Sequence, residues 1–242
     1  MFFDVTMVTR YGVVMLEGFL TTIYICFIGL LLGLVLGAVV CWIKMRFSKW
    51  VAGLANVYIE FFRGTPFLIQ LFLLYYVGPV FGIDLSATVA GILGLSLYGG
   101  AYFAEIFRSG IQSIPKGQTE AARALGIGEK AVLARIVIPQ MLGLIIAPLT
   151  TQIITLVKES AILSVITVQE LTFVGQRAIS ETYNYVEVYT MVALLYWALV
   201  TTLSGLFKRW ERYSTEYMRV KKTPSNGILI IKKQDMNIKT LS

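Results

Sequence analysis

The sequence predicts an all-α integral membrane protein with five transmembrane helices and a helical segment outside the bilayer. Hydrophobic residues make up 57% of the chain and charged residues 14%, against roughly 45–50% and about 25% in soluble domains. The mean hydropathy is +0.73. Long stretches of the chain also contain no charge at all. Buried helices of a soluble protein are the alternative, but a soluble core does not supply five such stretches.

Five stretches without Asp, Glu, Lys or Arg are long enough to be transmembrane helices. A helix needs about 20 residues to cross the hydrocarbon core of a bilayer, and each of these stretches reaches that length: residues 18–43, 64–83, 85–104, 136–157 and 188–207. Before the first stretch, Arg10 is the only basic residue beside Asp4 and Glu17. Because a signal peptide begins with a basic region, we expect no cleaved leader.

The basic residues predict the orientation of the chain. Four lie between the first and second stretches, five between the third and fourth, and nine after the fifth, whereas only Arg10, Lys158 and Arg177 lie on the other side. Cytoplasmic loops carry the excess of Lys and Arg. We therefore predict an N-terminus outside and a C-terminus in the cytoplasm. The net charge of +7 is then a topology signal, and we predict no nucleic-acid partner.

The side chains that would support catalysis are scarce. The chain has no histidine, which removes His-based acid–base chemistry and most zinc sites. Cys26 and Cys41 are separated on one helix by roughly 22 Å, whereas a disulfide needs Cα atoms within about 7 Å. No serine–histidine–aspartate set and no phosphate-binding lysine loop is present. We predict no catalytic residue, no metal site and no cofactor in this chain, which is therefore not an enzyme.

The second uncharged stretch begins within the sequence RGTP, directly after Arg63. Pro66 is tolerated in the first turn of a helix. Arg63 precedes it at the cytoplasmic end, where it can pair with Glu60 or bind a lipid phosphate. Anchoring and gating are both open for Arg63, Gly64 and Pro66.

The first uncharged stretch contains a regular glycine pattern. Its glycines lie four residues apart on one helix face and predict close packing against another helix: Gly29, Gly33 and Gly37.

Residues 120–139, EAARALGIGEKAVLARIVIP, form a polar, alanine-rich stretch between the third and fourth spans. Residues 118–125 predict a short helix that Thr119 can cap. Gly126 and Gly128 break it, and a second amphipathic segment leads back to the membrane. We predict a helix–turn–helix outside the bilayer. Small Ala121 and Ala122 would let another surface approach closely, which favours a docking element, because a mere connection is normally short.

This stretch resembles the EAA signature of the permease subunits of binding-protein-dependent ABC importers. EAA is followed by three residues, Gly126, nine residues and then IVIP, where the family pattern has Ile-x-Leu-Pro and this chain has Ile138 instead of Leu. Further stretches resemble the polar-amino-acid permease group: residues 58–76, 104–126 and 156–166. The resemblance covers roughly residues 12–215.

The resemblance implies a MetI-like permease fold for residues 1–220 in a bacterial inner membrane. We define residues 115–138 as the coupling loop; its helix would contact the ATPase through Glu120, Ala121, Ala122, Gly126 and Pro139. The implied partners are cytoplasmic subunits that bind ATP and Mg, a second permease subunit, identical or paralogous, an extracytoplasmic amino-acid-binding protein and the lipid bilayer. Residues 221–242 read as a basic, disordered cytoplasmic tail.

A path for an amino acid is predicted near the end of the fourth span. The uncharged residues 160–169 are too few to cross a bilayer and predict a re-entrant or buried segment. Charged residues at membrane depth usually face a cavity or a partner. An amino acid is a zwitterion, so Lys158 and Glu159 are candidates to contact it, and Ser160 and Tyr98 complete the set. Salt bridges to the other subunit, or a position at the interface, are the structural alternative.

Two other classes of protein were weighed against this interpretation. An ion-coupled secondary amino-acid transporter normally carries ionisable residues inside its spans and inverted repeats, and the five stretches here show neither. An inert membrane anchor would not need an exposed helix–turn–helix. The amino acid that is carried, and the identity of the second permease subunit, stay open.

Overall fold

The computed structural model describes residues 6–219, with backbone only for Met7, Val8 and residues 213–219. The described part of the chain is helical, with short connections. The predicted tail, residues 221–242, lies outside the described residues.

Nine α-helices follow one another in the described residues, and three of them are extended by tighter or wider turns. The α-helices are α1 Thr6–Arg46, α2 Lys49–Gly64, α3 Phe67–Phe72, α4 Ala87–Gln112, α5 Lys116–Ala124, α6 Glu129–Val132, α7 Ile138–Glu159, α8 Leu171–Thr182 and α9 Tyr185–Arg219. The extensions are a π-turn Leu73–Val77 and a 3₁₀ turn Gly78–Phe81 after α3, a π-turn Leu133–Val137 between α6 and α7, and a 3₁₀ turn Ser160–Ile166 after α7.

Four helical stretches are long and apolar enough to cross a membrane, and a bent pair supplies the fifth candidate. The four contain α1, α4, α7 and α9. The second predicted span, residues 64–83, belongs to this bent pair, because α2 and the helical run Phe67–Phe81 meet at 113°. Pro66 stands at the bend with extended backbone (φ −63°, ψ 138°). The sequence predicted the run after Pro66 but not the helix before it.

Helices α1 and α4 form the most extensive helix–helix contact in the described part of the chain. A Cβ added at Gly37 would lie 2.6 Å from the Cβ of Phe103 and 3.1 Å from the carbonyl oxygen of Gly100. Gly29 and Gly33 face Leu95 and the Ser96 carbonyl in the same way. The close packing predicted from these three glycines is therefore confirmed.

The main core surrounds α4 and α7 and includes the short segment after α7. Ser160, Leu163, Ser164 and Ile166 are buried, so the predicted buried segment is confirmed as a 3₁₀ continuation of α7. A second cluster joins the first part of α1 to α8 and the start of α9. A third joins the end of α1, α2 and the second half of α4. The coupling loop follows directly from that end of α4.

Candidate functional site

The coupling loop starts its first helix earlier than the sequence predicted. Helix α5 begins at Lys116, directly after Pro115, which occupies the N-cap position with non-helical backbone (φ −57°, ψ 126°). Thr119 is therefore inside α5, and its hydroxyl donates to the Lys116 carbonyl at 2.8 Å. The prediction that Thr119 caps the helix is wrong, whereas the helix itself is confirmed.

The turn after α5 needs a glycine. Gly126 has φ +76°, a left-handed conformation that glycine adopts without a steric penalty. The N–H of Gly126 donates to the Arg123 carbonyl at 2.9 Å, and the N–H of Ile127 donates to the Ala122 carbonyl at 3.1 Å. These two bonds form a Schellman motif, which satisfies the last carbonyls of α5.

The coupling loop has a small core of its own. Ala122 is 4% exposed and packs with Ile114, Val132 and Val137. Its small size therefore brings α5 close to the rest of the loop, and the expectation that Ala122 faces another surface is wrong. Glu120 and Ala121 are exposed on the outer side of α5.

Polar contacts hold the two arms of the coupling loop together. The Arg123 guanidinium lies 2.6 Å from the Glu129 carboxylate, and the Gln140 amide donates to Gln118 at 2.7 Å. Pro139 is exposed near the start of α7. Because both contacts join α5 to the returning segment, the loop presents its turn as a defined surface.

The tip of the coupling loop is apolar. Leu125 is 80% exposed and Ile127 is also exposed, although both stand in a polar segment between α4 and α7. An exposed Leu or Ile at the tip of a braced loop can serve as an aliphatic anchor that a partner protein buries. Leu125 and Ile127 were not among the residues predicted from the sequence; the signal was their position on either side of Gly126.

Arg63 contacts an aromatic ring rather than Glu60. Its guanidinium carbon lies 5.3 Å from the centroid of the Tyr102 ring, a cation–π distance. The predicted pairing with Glu60 is therefore not formed among the described ion pairs. Gly64 ends α2 and Pro66 precedes α3, so both belong to the bend.

A row of aromatic residues leads from Arg63 towards Glu159. The Tyr102 ring lies 4.9 Å from the ring of Tyr98, which is buried. Glu159 is half-buried at the end of α7. Gln152 is buried beside Tyr98 and lies about two helical turns before Glu159 on α7. The structure thus places Tyr98 in a row with Tyr102 and Gln152, which were not predicted from the sequence, and no described contact joins Tyr98 to Glu159.

Lys158 and Ser160 lie apart from that row. Lys158 is exposed and lines a groove of about 390 Å³ together with Ala161, Tyr196 and Trp197. The Ser160 hydroxyl is buried and donates to the Val157 carbonyl at 2.7 Å. Lys158 and Glu159 therefore face different neighbours, and Ser160 is already satisfied within its own helix.

Glu170 is a buried carboxylate that the sequence analysis did not identify. It accepts from the backbone N–H groups of Thr172 at 2.9 Å and Phe173 at 2.8 Å and from the Tyr196 hydroxyl at 2.8 Å. Burial raises the pKa of the Glu170 carboxyl, and these hydrogen bonds act in the opposite direction. Glu170 thus caps α8 and joins it to α9. The available signal was a lone Glu immediately before a helical segment.

Together, membrane-length helices and a braced loop with an apolar tip define an integral membrane protein with an exposed helix–turn–helix. Residues 29–213 match the family described as "Binding-protein-dependent transport system inner membrane component". The chain belongs to this family.

Within this family, the chain is similar to proteins that are named as amino-acid transporters. A Rickettsia typhi protein assigned as a glutamine transport system permease, GlnP, is 37% identical over 198 residues, which cover 81% of this chain and 91% of that protein. The crystal structure of an amino acid ABC transporter with histidines superposes with a TM-score of 0.82 and 36% identity, over 88% of this chain and 100% of that chain.

A more distant structure supports the fold. A chain of the MetNI methionine ABC transporter, in inward-facing conformations, superposes with a TM-score of 0.73 at 22% identity, over 85% of this chain and 98% of that chain. The predicted MetI-like permease fold is confirmed by these superpositions.

Proposed function

We propose that this chain is the transmembrane permease subunit of an ABC importer that moves polar amino acids into the cytoplasm. The observation that carries the proposal is the braced coupling loop with Leu125 and Ile127 at its tip, within a chain whose relatives are amino-acid ABC transporter permeases. The same relatives disfavour an ion-coupled secondary transporter. ATP and Mg would be bound by separate subunits on the side of the coupling loop.

The coupling loop would transmit the movement of the ATP-binding subunits. Its polar ties, Arg123–Glu129 and Gln118–Gln140, join α5 to the segment that enters α7. A force on the tip therefore reaches α7, which carries Glu159. Glu120 and Ala121 would flank the contact on the exposed side of α5, whereas Ala122 and Gly126 would maintain the shape of the loop. Pro139 would mark its junction with α7.

Substitution of the tip tests this role. Leu125→Asn removes an exposed apolar side chain, and an anchor buried by a partner contributes about 2 kcal/mol or more. We expect normal membrane levels, loss of co-purification with the ATP-binding subunits, and loss of transport. Lys130→Asn, at an exposed position of the same loop, is the matched control and should retain both. Full association in Leu125→Asn would contradict the proposal.

Glu120→Lys is a second test of the same surface. Glu120 is exposed and lies in the middle of α5, so reversing its charge costs the isolated helix little. The variant should therefore fold and reach the membrane. Weak association with the ATP-binding subunits would support a contact through this face of α5, whereas normal transport-coupled ATP hydrolysis would exclude it.

The amino acid would pass the half-buried Glu159. Gln152 offers a buried amide about two helical turns before Glu159, and Tyr98 and Tyr102 line the way towards Arg63. A carboxylate and an amide donor suit the ammonium and carboxylate groups of a zwitterion. The alternative is that Glu159 pairs with the second permease subunit. Arg63 would then either anchor α2 or close the cytoplasmic end of the row.

Glu159→Gln distinguishes these roles because it keeps the shape of the side chain. We expect weaker uptake or a changed preference among amino acids, with complex assembly and substrate-independent ATP hydrolysis retained. Lys158→Gln is the control, since Lys158 faces the groove beside α9. If Glu159→Gln transports every amino acid tested with unchanged kinetics, Glu159 has a structural role and does not contact the transported amino acid.

The remaining partners follow from the same proposal. A second permease subunit, identical or paralogous, would complete the path, and an extracytoplasmic binding protein would deliver the amino acid. Purified complexes in vesicles should take up amino acid only with ATP and Mg on the side of the coupling loop. Uptake that continues without ATP but stops when an ionophore removes the ion gradient would favour the secondary transporter instead.

A further inference from the structure

Helix α2 carries a row of apolar side chains that no described residue covers. Trp50, Leu54, Val57 and Phe61 are spaced by four, three and four residues, which places them within about 60° of one another around the helix. All four are exposed, and Trp50 is 89% exposed. We call these four residues the apolar stripe.

The other faces of α2 are accounted for. Ala55 and Ile59 are buried against the end of α1 and the second half of α4, and the Tyr58 hydroxyl donates to the Leu97 carbonyl at 2.6 Å. The third face is polar and carries Lys49, Glu60 and Arg63. The apolar stripe therefore faces neither the rest of the described protein nor the polar side of α2, so it must face a different, apolar environment.

The bend after α2 is held by a buried side chain. The Gln70 amide donates to the carbonyls of Phe62 and Thr65, each at 2.9 Å, and these carbonyls are at the end of α2. The following helix therefore leaves α2 at 113°. If the helix that begins at Phe67 crosses the bilayer, α2 lies at a large angle to the membrane normal. A 16-residue helix is about 24 Å long, which is also short of a hydrocarbon core of roughly 30 Å.

Positive charge and aromatic rings cluster where α1 ends and α2 begins. Arg46 and Lys49 are exposed and form no ion pair among the described residues, whereas nearby Lys44 is neutralised by Glu105 at 2.6 Å. The rings of Trp42 and Phe47 meet edge to face at 5.1 Å. Aromatic and basic residues of this kind mark a membrane–water interface.

We propose that α2 lies in the headgroup region of the leaflet on the side of the coupling loop and binds anionic phospholipid. The apolar stripe enters the boundary of the acyl chains, and Arg46 and Lys49 contact the negative headgroups. We favour lipid over a second protein because the last part of α1, which leads to α2 from the hydrocarbon core, also carries exposed apolar residues, namely Val35, Val39 and Trp42.

Fluorescence of Trp50 tests the position of α2. Trp42→Phe, Trp197→Phe and Trp210→Phe leave Trp50 as the only tryptophan of the chain. The full-length variant, assembled with its partner subunits in lipid nanodiscs, should be quenched by phospholipids brominated on the upper acyl chain and protected from aqueous acrylamide. Quenching by acrylamide alone would place α2 in water. Protection from both quenchers would mean that protein covers the stripe. Either result overturns the proposal.

The charge requirement is tested by lipid composition. Brominated phosphatidylglycerol should quench Trp50 more than brominated phosphatidylcholine at the same mole fraction. Arg46→Gln and Lys49→Gln should each reduce this preference about fivefold, the effect of one basic residue near an anionic surface. Arg177→Gln removes a charge distant from α2 and should leave the preference unchanged. Equal quenching by both lipids before any substitution overturns the anionic part of the proposal.

Spin labels give a second measurement that needs no tryptophan substitution. In a chain with Cys26→Ser and Cys41→Ser, labels are attached at Leu54→Cys on the apolar stripe and at Glu60→Cys on the polar face. Oxygen, which concentrates in lipid, should relax the label at position 54 more, and a water-soluble nickel complex should relax the label at position 60 more. The same response at both positions overturns the proposal.

Discussion

The carboxylate of Glu170 accepts a hydrogen bond from the hydroxyl of Tyr196 at 2.8 Å, across the boundary between α8 and α9. The same carboxylate accepts two backbone N–H groups at the start of α8, and the next residue, Leu171, donates its N–H to the Thr22 hydroxyl of α1 at 3.1 Å. Glu170 therefore lies where three helices meet. A carboxylate in this setting is costly to leave without its donors.

Tyr196→Phe should destabilise the permease by about 1.5–3 kcal/mol, the contribution of a hydrogen bond to a charged group. Thermal unfolding of the purified chain in detergent measures the loss. Tyr189→Phe is the matched control, because Tyr189 lies on the same helix and is 47% exposed. The effects of Tyr196→Phe and Glu170→Ala should also be non-additive, since both remove the same bond. Equal, near-zero effects of both tyrosine substitutions would contradict this assignment.

Gly126 and Gly128 make a matched pair in the coupling loop. Neither has an atom within 4 Å of an added Cβ, but Gly126 has φ +76° and Gly128 has φ −65°. Gly126→Ala should therefore cost about 1–2 kcal/mol, and Gly128→Ala should cost little. Hydrogen exchange of the amides of residues 116–127 should quicken only in Gly126→Ala. Identical exchange in the two variants would show that the left-handed turn is not required.

Gly37 and Gly53 test the packing of α1 on α4. Both are inside helices, so Ala at either position gains the same helix propensity, about 1 kcal/mol. Only Gly37 meets neighbouring atoms within 4 Å of an added Cβ. Overpacking costs about 1–3 kcal/mol, so Gly37→Ala should be less stable than Gly53→Ala by that amount in thermal unfolding. Equal stabilities would indicate that the two helices separate without loss.

The orientation predicted from the basic residues is tested by thiol labelling. In a chain with Cys26→Ala and Cys41→Ala, Thr9→Cys should react with an impermeant thiol reagent in intact cells, because Thr9 is exposed near the start of α1. Gly128→Cys, at an exposed position of the coupling loop, should react only in inverted membranes. Labelling of Gly128→Cys in intact cells would reverse the proposed topology.

The local structure of the candidate site was predictable from the sequence. The contacts that were not predicted all involve residues that are distant along the chain. The helix–turn–helix of the coupling loop followed from Pro115, Gly126 and the alanines between them, which act locally. The direction in which Ala122 faces did not, because it depends on Val132 and Val137 returning against α5. Similarly, the partners predicted for Arg63 were nearby Glu60 or a lipid phosphate, whereas its ring contact comes from Tyr102 on another helix.

The sequence alone determined the membrane-length helices, the polar loop and the family of the chain. A transmembrane helix needs an uncharged stretch long enough to cross the hydrocarbon core, and helix caps and breakers act over a few residues. Membrane spans and helix ends can therefore both be predicted from the local sequence. Tertiary structure alone decided the 113° bend at Pro66 and the polar junction at Glu170. Leu171 and Thr22 are 149 positions apart, and only the packing of α1 beside α8 brings such residues within bonding distance.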